Sequence, residues 1–259
     1  MLFVVLVAVL AVASLAVLVA RRVTTDIRAM SVEAALIRAQ TASEAGLARA
    51  IASLDDRNDR FGLTPYTGDV NWEFDGAQIR LKMEAESGKL DILRADLALL
   101  RHAVGRLVAN PSDQALILDQ IQQLRSRNLA PYDLRAILPA KLRVSNLATA
   151  FEPHLTVLVS QSGVDPIGAS PLVREALLAE HPQLRDAMNQ SLKWRQVTPE
   201  LASGLGAQYS LPSNLFTVDV QATLPNGIRA RRRALVSLDF SSHRAYLLRD
   251  TQVSPEQAE

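Results

Sequence analysis

Residues 2–20 read LFVVLVAVLAVASLAVLVA, and residues 21–54 continue RRVTTDIRAMSVEAALIRAQTASEAGLARAIASL. The first of these stretches holds no charge, amide, proline or glycine. At about 1.5 Å of rise per residue it makes a helix roughly 29 Å long, enough to cross the apolar slab of a bilayer. A helix also keeps every backbone polar group bonded internally, as lipid demands. The expectation is one membrane-inserted helix over 1–22, built on residues such as Leu2, Val5, Leu10, Leu15 and Leu18. The rest of the chain hangs from it.

The helix does not end at Arg21-Arg22. Residues 23–54 hold no proline, and their one glycine is Gly46. Val23, Ile27, Met30, Ala34, Ile37, Thr41, Ala45, Ala48 and Ile51 recur mostly by three and four, which is one stripe along a helix. Arg21, Arg28, Glu33, Arg38, Glu44 and Arg49 lie mostly off it. The spacing predicts one continuous helix over 3–53, on the order of 75 Å long. Its first half sits in lipid. Its second half, 23–55, packs on a globular domain along the stripe.

A cleavable signal peptide is the alternative for residues 1–20, and Leu18-Val19-Ala20 is a passable cleavage site. The length of the apolar run, the lack of a basic stretch before it and Arg21-Arg22 directly after it argue against that. Counted alone, those two arginines place the C-terminal side in the cytoplasm. A basic leader upstream of Met1 is therefore expected.

Composition excludes several classes. The 259 residues carry 28 Lys plus Arg against 27 Asp plus Glu, a net charge of +1, so no bulk charge draws the chain to nucleic acid. No cysteine is present, which excludes disulfides, thiolate metal sites, iron–sulfur clusters and cysteine nucleophiles. Beyond the long helix about 200 residues remain, enough for one or two small domains.

Asp55-Asp56-Arg57-Asn58-Asp59 ends the helix, and residues 61–69 read as loop. Residues 70–74 and 77–85 flank Asp75-Gly76 as a hairpin, with Ile79, Leu81, Met83 and Ala85 alternating. Residues 94–185 turn helical. Asn110-Pro111-Ser112 is a helix start, and Ser170 caps a helix that opens on Pro171. Shorter helices are expected around 132–138 and 144–151, and residues 154–160 look extended. Residues 196–213, with Pro199, Gly204, Gly206 and Pro212, read mostly as loop. Three strands close the chain near 215–224, 228–238 and 244–249, the first two joined at Pro225-Asn226-Gly227. Helices between sheet pieces form an insertion, because neither half of the sheet hides its apolar face alone.

Four passages in this order resemble the minor pseudopilin K family of type II secretion systems (general secretion pathway protein K). Ala42-Ser43-Glu44-Ala45-Gly46 is similar to an "A-EAG" segment of that family's long helix. Residues 76–91, with Glu86-Ser87-Gly88-Lys89-Leu90, resemble its "D-x-x-GK-I/L-x-L-N" strand and turn, although Ala85 stands where the family has an acid. Gly163-Val164-Asp165-Pro166 through Pro171 resembles its "G-V-D-P-x-x-A-P" helix entry. Phe216-Thr217-Val218 and residues 229–236 resemble its closing hairpin.

The resemblance implies an α+β fold: a pilin-like long N-terminal helix on an antiparallel sheet, with an all-helical domain inserted between strands. The segments become a transmembrane helix 1–22, its periplasmic continuation 23–55, a first pilin-like part 56–93, the inserted domain 94–195, closing strands 196–250 and a tail 251–259. It implies a job without a reaction, at the tip of a short periplasmic filament that exports folded proteins. The implied setting is the bacterial inner membrane, crossed once, with the C-terminal domain periplasmic. Implied partners are other minor pseudopilins, the inner-membrane secretion platform and membrane lipid, with no nucleic acid. The family's basic leader ends in glycine, and no glycine precedes Gly46 here. Pilin-like subunits usually carry a glutamate early in the apolar helix to pair with a neighbour's amine. Residues 1–20 hold no acid, which suits a subunit with no neighbour above it.

Other chemistry is thin. His102, His154, His181 and His243 have no neighbour at ligand spacing. The serines lack a G-x-S-x-G elbow, and Gly204-Leu205-Gly206 opens no phosphate loop. Asp55, Asp56 and Asp59 lack the glycine and closing glutamate of an EF-hand and read as a solvated helix end. No cofactor is expected from the residues; calcium enters only through the resemblance. Arg229, Arg231 and Arg233 share one strand face, read as solvated, with an anionic or protein contact as the alternative. The helical block has no glycine between Leu138 and Phe151 for a phosphate-binding hairpin, so it reads as a protein-interaction domain. A competing functional reading is a single-pass inner-membrane protein with a ligand-binding or sensory extracytoplasmic domain. The unbroken helix favours the filament.

Overall fold

The computed structural model describes residues 2–55, 68–129, 131–143, 146–159, 162–211, 214–239 and 244–253. Of these, the side chains of residues 2, 4–14, 55, 68, 244, 252 and 253 fall outside the description. Helix α1 (Leu2–Asp55) is unbroken. Thr24 and Thr25, in its middle, turn their hydroxyls back onto the i−4 carbonyls of Ala20 and Arg21, sharing acceptors of the helix ladder without breaking it. Among the described residues no helix is long and apolar enough to cross a membrane. Most of the expected membrane segment, including Leu2, Val5 and Leu10, lies in the side chains outside the description.

Strands β1 (Gly68–Phe74) and β2 (Ala77–Ala85) form the expected hairpin. Asp75 and Gly76 both have positive φ, 49° and 74°, as a tight type I′ connection requires. A 3-10 turn (Glu86–Gly88) then leads to the short strand β3 (Leu90–Asp91) and out of the sheet. The chain goes through α2 (Leu97–Leu107), α3 (Pro111–Ser126), α4 (Leu147–Phe151), β4 (Leu155–Thr156), α5 (Pro171–Glu180), α6 (Arg185–Trp194) and α7 (Pro199–Leu205). It returns as β5 (Leu215–Thr223), β6 (Arg229–Asp239) and β7 (Arg244–Val253). The main sheet has the order β1-β2-β5-β6-β7, antiparallel throughout. β2 meets β5 across the whole insertion. The fold is α+β and pilin-like, with a helical block inserted between sheet strands.

Capping explains most helix starts. Asn110 accepts from the Ser112 N–H and Ser170 from the Val173 N–H, each with proline at the first helical position. The same device forms α7, where Thr198 accepts from the Leu201 N–H ahead of Pro199. Residues 196–213 are thus not mostly loop: Pro199 starts a helix there instead of breaking one. Leu201 and Leu205 join the core of the helical block, so the block runs past residue 195. Among the described residues of the stretch expected to be extended, only Leu155–Thr156 is a strand, paired in parallel with β3.

The described residues form two cores. One lies within the helical block, around Leu99, Ile117, Ile121, Phe151 and Leu177. The other lies between α1 and the sheet, where Ile79, Leu81 and Met83 of β2 and Phe216, Val218 and Val220 of β5 meet the helix. The seam of α1 is not the stripe read from the sequence. Ala39, Ala42, Ser43, Leu47, Ala50, Ser53 and Leu54 are buried, whereas Ala34, Ile37, Thr41 and Ala48 are exposed. Small residues make this seam because the helix lies very close to the sheet. A Cβ on Gly46 would fall 2.5 Å from Val220 Cγ1 and 3.0 Å from Ile79 Cγ2. Large apolar side chains would hold the helix further away at the point of closest approach, so Leu47 and Leu54 flank Gly46 and Ala50 toward the C-terminal end and most of the others lie off the seam.

α1 has a direction on the sheet. Arg38 donates to the Asp75 carbonyl at the hairpin turn, 3.1 Å away, and Gly46 lies over Ile79 and Val220 in mid-sheet. The N-terminal half of α1 therefore leaves at the Asp75–Gly76 end. The helical block leaves at the other end, where β2 stops at Ala85 and β5 starts at Leu215.

Candidate functional site

Two features stand out among the described residues: the joint that fixes the helical block on the sheet, and the exposed apolar face of α1. The joint begins with Glu86, buried at the end of β2. Its Oε1 accepts from Lys89 Nζ at 2.5 Å and from Thr217 Oγ1 at 2.6 Å, and its Oε2 accepts from Thr156 Oγ1 at 2.6 Å. One carboxylate thus ties the turn, the sheet through β5 and the block through β4. Lys89 is also buried, and Glu84 Oε2 lies 3.5 Å from it. Burial works against ionisation of Glu84, but Lys89 and Lys82 outweigh it and hold the carboxyl below the usual glutamate range.

The turn then meets the loop before α5. The Asp165 N–H donates to the Ser87 carbonyl at 2.8 Å, and Gly88 lies against Gly168. Asp165 is fully buried; its Oδ1 accepts from the Ile167 N–H, while its Oδ2 has no partner among the described residues. Burial pushes its carboxyl up to about 6, against the backbone N–H groups of Ile167 and Gly168. His154 Nδ1 lies 2.7 Å from the Ser170 hydroxyl, and burial pushes this imidazole down. Gly88, Lys89, Val164, Asp165 and Pro166, far apart in sequence, are therefore neighbours, with Pro171 opening α5 just beyond. Glu44 and Gly46 are elsewhere, on α1. Glu44 pairs with Arg232 at 2.8 Å, and Arg232 also reaches Asp250 at 3.0 Å.

Between the outer face of the sheet and the block lies a cleft of about 570 Å³, lined by Arg80, Lys82, Glu152, Asp219, Arg231 and Arg233 among others. Each of these named charges has a partner of opposite sign within the chain, Arg80 with Asp69 and Lys82 with Glu84 among them, while Arg249, also in the lining, lies over the Tyr132 ring. Asp219 lies 2.6 Å from Arg231 and 3.0 Å from Arg233, and Arg233 also bonds Glu152. Burial disfavours the Asp219 anion, but the two arginines outweigh it and hold its carboxyl low. The solvated-face reading is thus corrected for Arg231 and Arg233, which face acids of this chain; Arg229 is exposed. Glu152 comes from the block, so strand alternation gave no sign of it. The Glu86 hub was also missed; an acid within a Glu-Ser-Gly-Lys turn was its one sequence signal.

Among the described residues no cluster of three His, Cys, Asp or Glu is placed to hold a metal ion. His102 faces Glu175 at 3.8 Å, and His181 Nε2 meets Gln208 Oε1 at 3.0 Å. Asp56, Asp59 and His243 lie outside the described residues, as does the side chain of Asp55.

The second feature is the N-terminal half of α1. Leu18, Val23, Ile27, Met30, Val32 and Ile37 are all at least half exposed, Met30 to 69%. This is far more than the scattered apolar residues of an ordinary surface.

No protein-family profile matches the chain, and no curated protein matches it. Among solved structures, a chain of the crystal structure of the GspK-GspI-GspJ complex from the enterotoxigenic Escherichia coli type 2 secretion system is similar, with a TM-score of 0.54 and 14% identity. The match covers 84% of this chain and 96% of that one. At such identity the likeness is one of fold, and the pilin-like architecture is shared over nearly the whole of that chain.

Proposed function

We propose that this chain is a minor pseudopilin of a type II secretion system. It is anchored in the inner membrane by the start of α1, with its domain in the periplasm. It assembles with other minor pseudopilins at the filament tip, engages the inner-membrane platform and helps export folded proteins. It is a structural part and runs no reaction.

One observation carries this reading: α1 is a single rod with two different faces. Its C-terminal half is locked to the sheet mostly by small residues, and its N-terminal half holds large apolar side chains that none of the described residues covers. Burying one such side chain yields about 1.5–3 kcal/mol, so a row of them is a strong drive to pack against lipid and other helices. The fold shared with a chain of the pseudopilin complex supports the reading. A rigid link from anchor to domain suits a part that must transmit position.

The test is a secretion assay in a deletion strain, beside a pull-down with the full chain in detergent. Loss of export and capture of pilin-like subunits of the same system are expected. Normal export together with no such subunit overturns the proposal in favour of a membrane-anchored ligand-binding protein.

A further inference from the structure

The end of α6 carries a feature that neither the fold nor the α1 face uses. Lys193, Trp194 and Arg195 are consecutive and all exposed, Trp194 to 67%. Lys193 Nζ lies 5.5 Å from the centre of the indole ring. Among the described residues neither Lys193 nor Arg195 has a carboxylate partner.

The site is held stiffly. Arg195 ends α6 in the left-handed region at φ 52°, and its N–H donates to the Ser191 carbonyl. Glycine or asparagine is the usual residue at such a cap; arginine there bears strain and keeps a cation on the knuckle. Ser191 is fully buried, and its hydroxyl accepts from the Thr198 N–H at 3.0 Å, joining the end of α6 to the start of α7. The indole is therefore presented from a corner whose backbone is fixed, which lowers the ordering that binding requires of the main chain.

We propose that Lys193, Trp194 and Arg195 form a docking point for an acidic protein surface, with the indole as anchor and the two cations flanking it. An exposed tryptophan on a fixed backbone beside two cations matches the aromatic and basic anchors that dominate protein interfaces. Charge complementarity sets the partner's sign. The knuckle belongs to the block, which leaves the sheet at the end opposite the apolar half of α1. That placement favours a protein over the lipid in which α1 would be anchored.

The chain has two tryptophans, so Trp72→Phe leaves Trp194 as the only indole emitter. This full-length variant in detergent is titrated with a short peptide of glutamates around one phenylalanine, its lysine counterpart, and phosphatidylglycerol vesicles. Isothermal titration of the unaltered chain repeats the peptide comparison without the substitution. The expected result is a saturable blue shift with the acidic peptide alone, and binding at least about tenfold weaker in Lys193→Ala/Arg195→Ala. No binding of the acidic peptide, equal binding of both peptides, or a response to vesicles only would overturn the proposal.

Discussion

Gly88 and Gly168 touch backbone to backbone: a Cβ built on Gly88 would fall 2.1 Å from the Gly168 carbonyl oxygen and 2.2 Å from its carbon. The contact brings two short sequence words together, Glu86-Ser87-Gly88-Lys89 from the end of β2 and Val164-Asp165-Pro166 from the approach to α5. It seats the helical block on the sheet.

Gly88→Ala should loosen that seat. The obstacle is main chain, which cannot swing aside as a side-chain tip does. We expect a loss of about 1–3 kcal/mol, read as a lower urea midpoint. Cleavage in the joint under limited proteolysis should also rise. An unchanged midpoint would show that the two segments separate at no cost.

Glu86 is the second lock. Glu86→Ala leaves the Lys89 ammonium buried, with Glu84 its remaining acid at 3.5 Å, and strips Thr156 and Thr217 of their acceptor. Breaking a buried charge pair from one side costs on the order of 3–5 kcal/mol. Thermal unfolding of Glu86→Ala, compared with Glu86→Ala/Lys89→Met, separates the stranded charge from the lost threonine bonds. Recovery in the double variant is expected.

Asp165 makes stability depend on pH. Its folded carboxyl rises from 3.8 to about 6 because it is buried. The stability tied to its proton is fully present below the unfolded value and is lost as pH rises through about 6. The full effect is on the order of 3 kcal/mol. Asp165→Asn keeps an acceptor for the Ile167 N–H and cannot ionise. The stability of the variant relative to the parent should therefore grow between pH 4 and pH 7. Glu84 and Asp219 are held low and titrate in the opposite sense, but they are common to both proteins and cancel. Urea unfolding at several pH values measures the difference, and a flat difference would contradict the burial argument.

Local chemistry was legible in the sequence, and phase and long-range pairing were not. The Asp75-Gly76 turn and the caps at Asn110 and Ser170 depend on residues a few positions apart, and the structure has them where the residues placed them. The insertion followed from sheet pieces that needed each other. The seam of α1 was misplaced because periodicity weights large apolar residues. The true seam is dominated by Ala39, Ala42, Ser43, Gly46 and Ala50, with Leu47, Ser53 and Leu54 completing it, and only the close approach of Val220 shows why small residues prevail. Pro199 reads as loop punctuation in the sequence, whereas in the structure it opens a helix that Thr198 caps. Glu86, Thr156 and Thr217 come from three separated segments, and no local pattern joins them.

The misplaced stripe leads to the last prediction. Ala34 and Ala48 lie on α1 but off the seam, and both are exposed. Gly46 lies on the seam, with no room for a methyl group beside Val220. The two positions should therefore fail in opposite ways. Gly46→Ala should cost stability, about 1–3 kcal/mol from overpacking. Ala34→Arg should leave stability within about 0.5 kcal/mol, as exposed substitutions do. If the uncovered face of α1 packs against other subunits, the new guanidinium is stranded without a partner in that contact, and burying an unpaired charge is expensive. Ala48→Arg repeats the test one stretch further along, although an arginine there sits one turn after Glu44 and is partly neutralised by it. The expected outcome is normal protein level and melting temperature for both arginine variants, with export lost in Ala34→Arg and reduced in Ala48→Arg. Export at parental level in both, with the protein stably present, would mean that the face is not a docking surface and that the large apolar residues along it need another explanation.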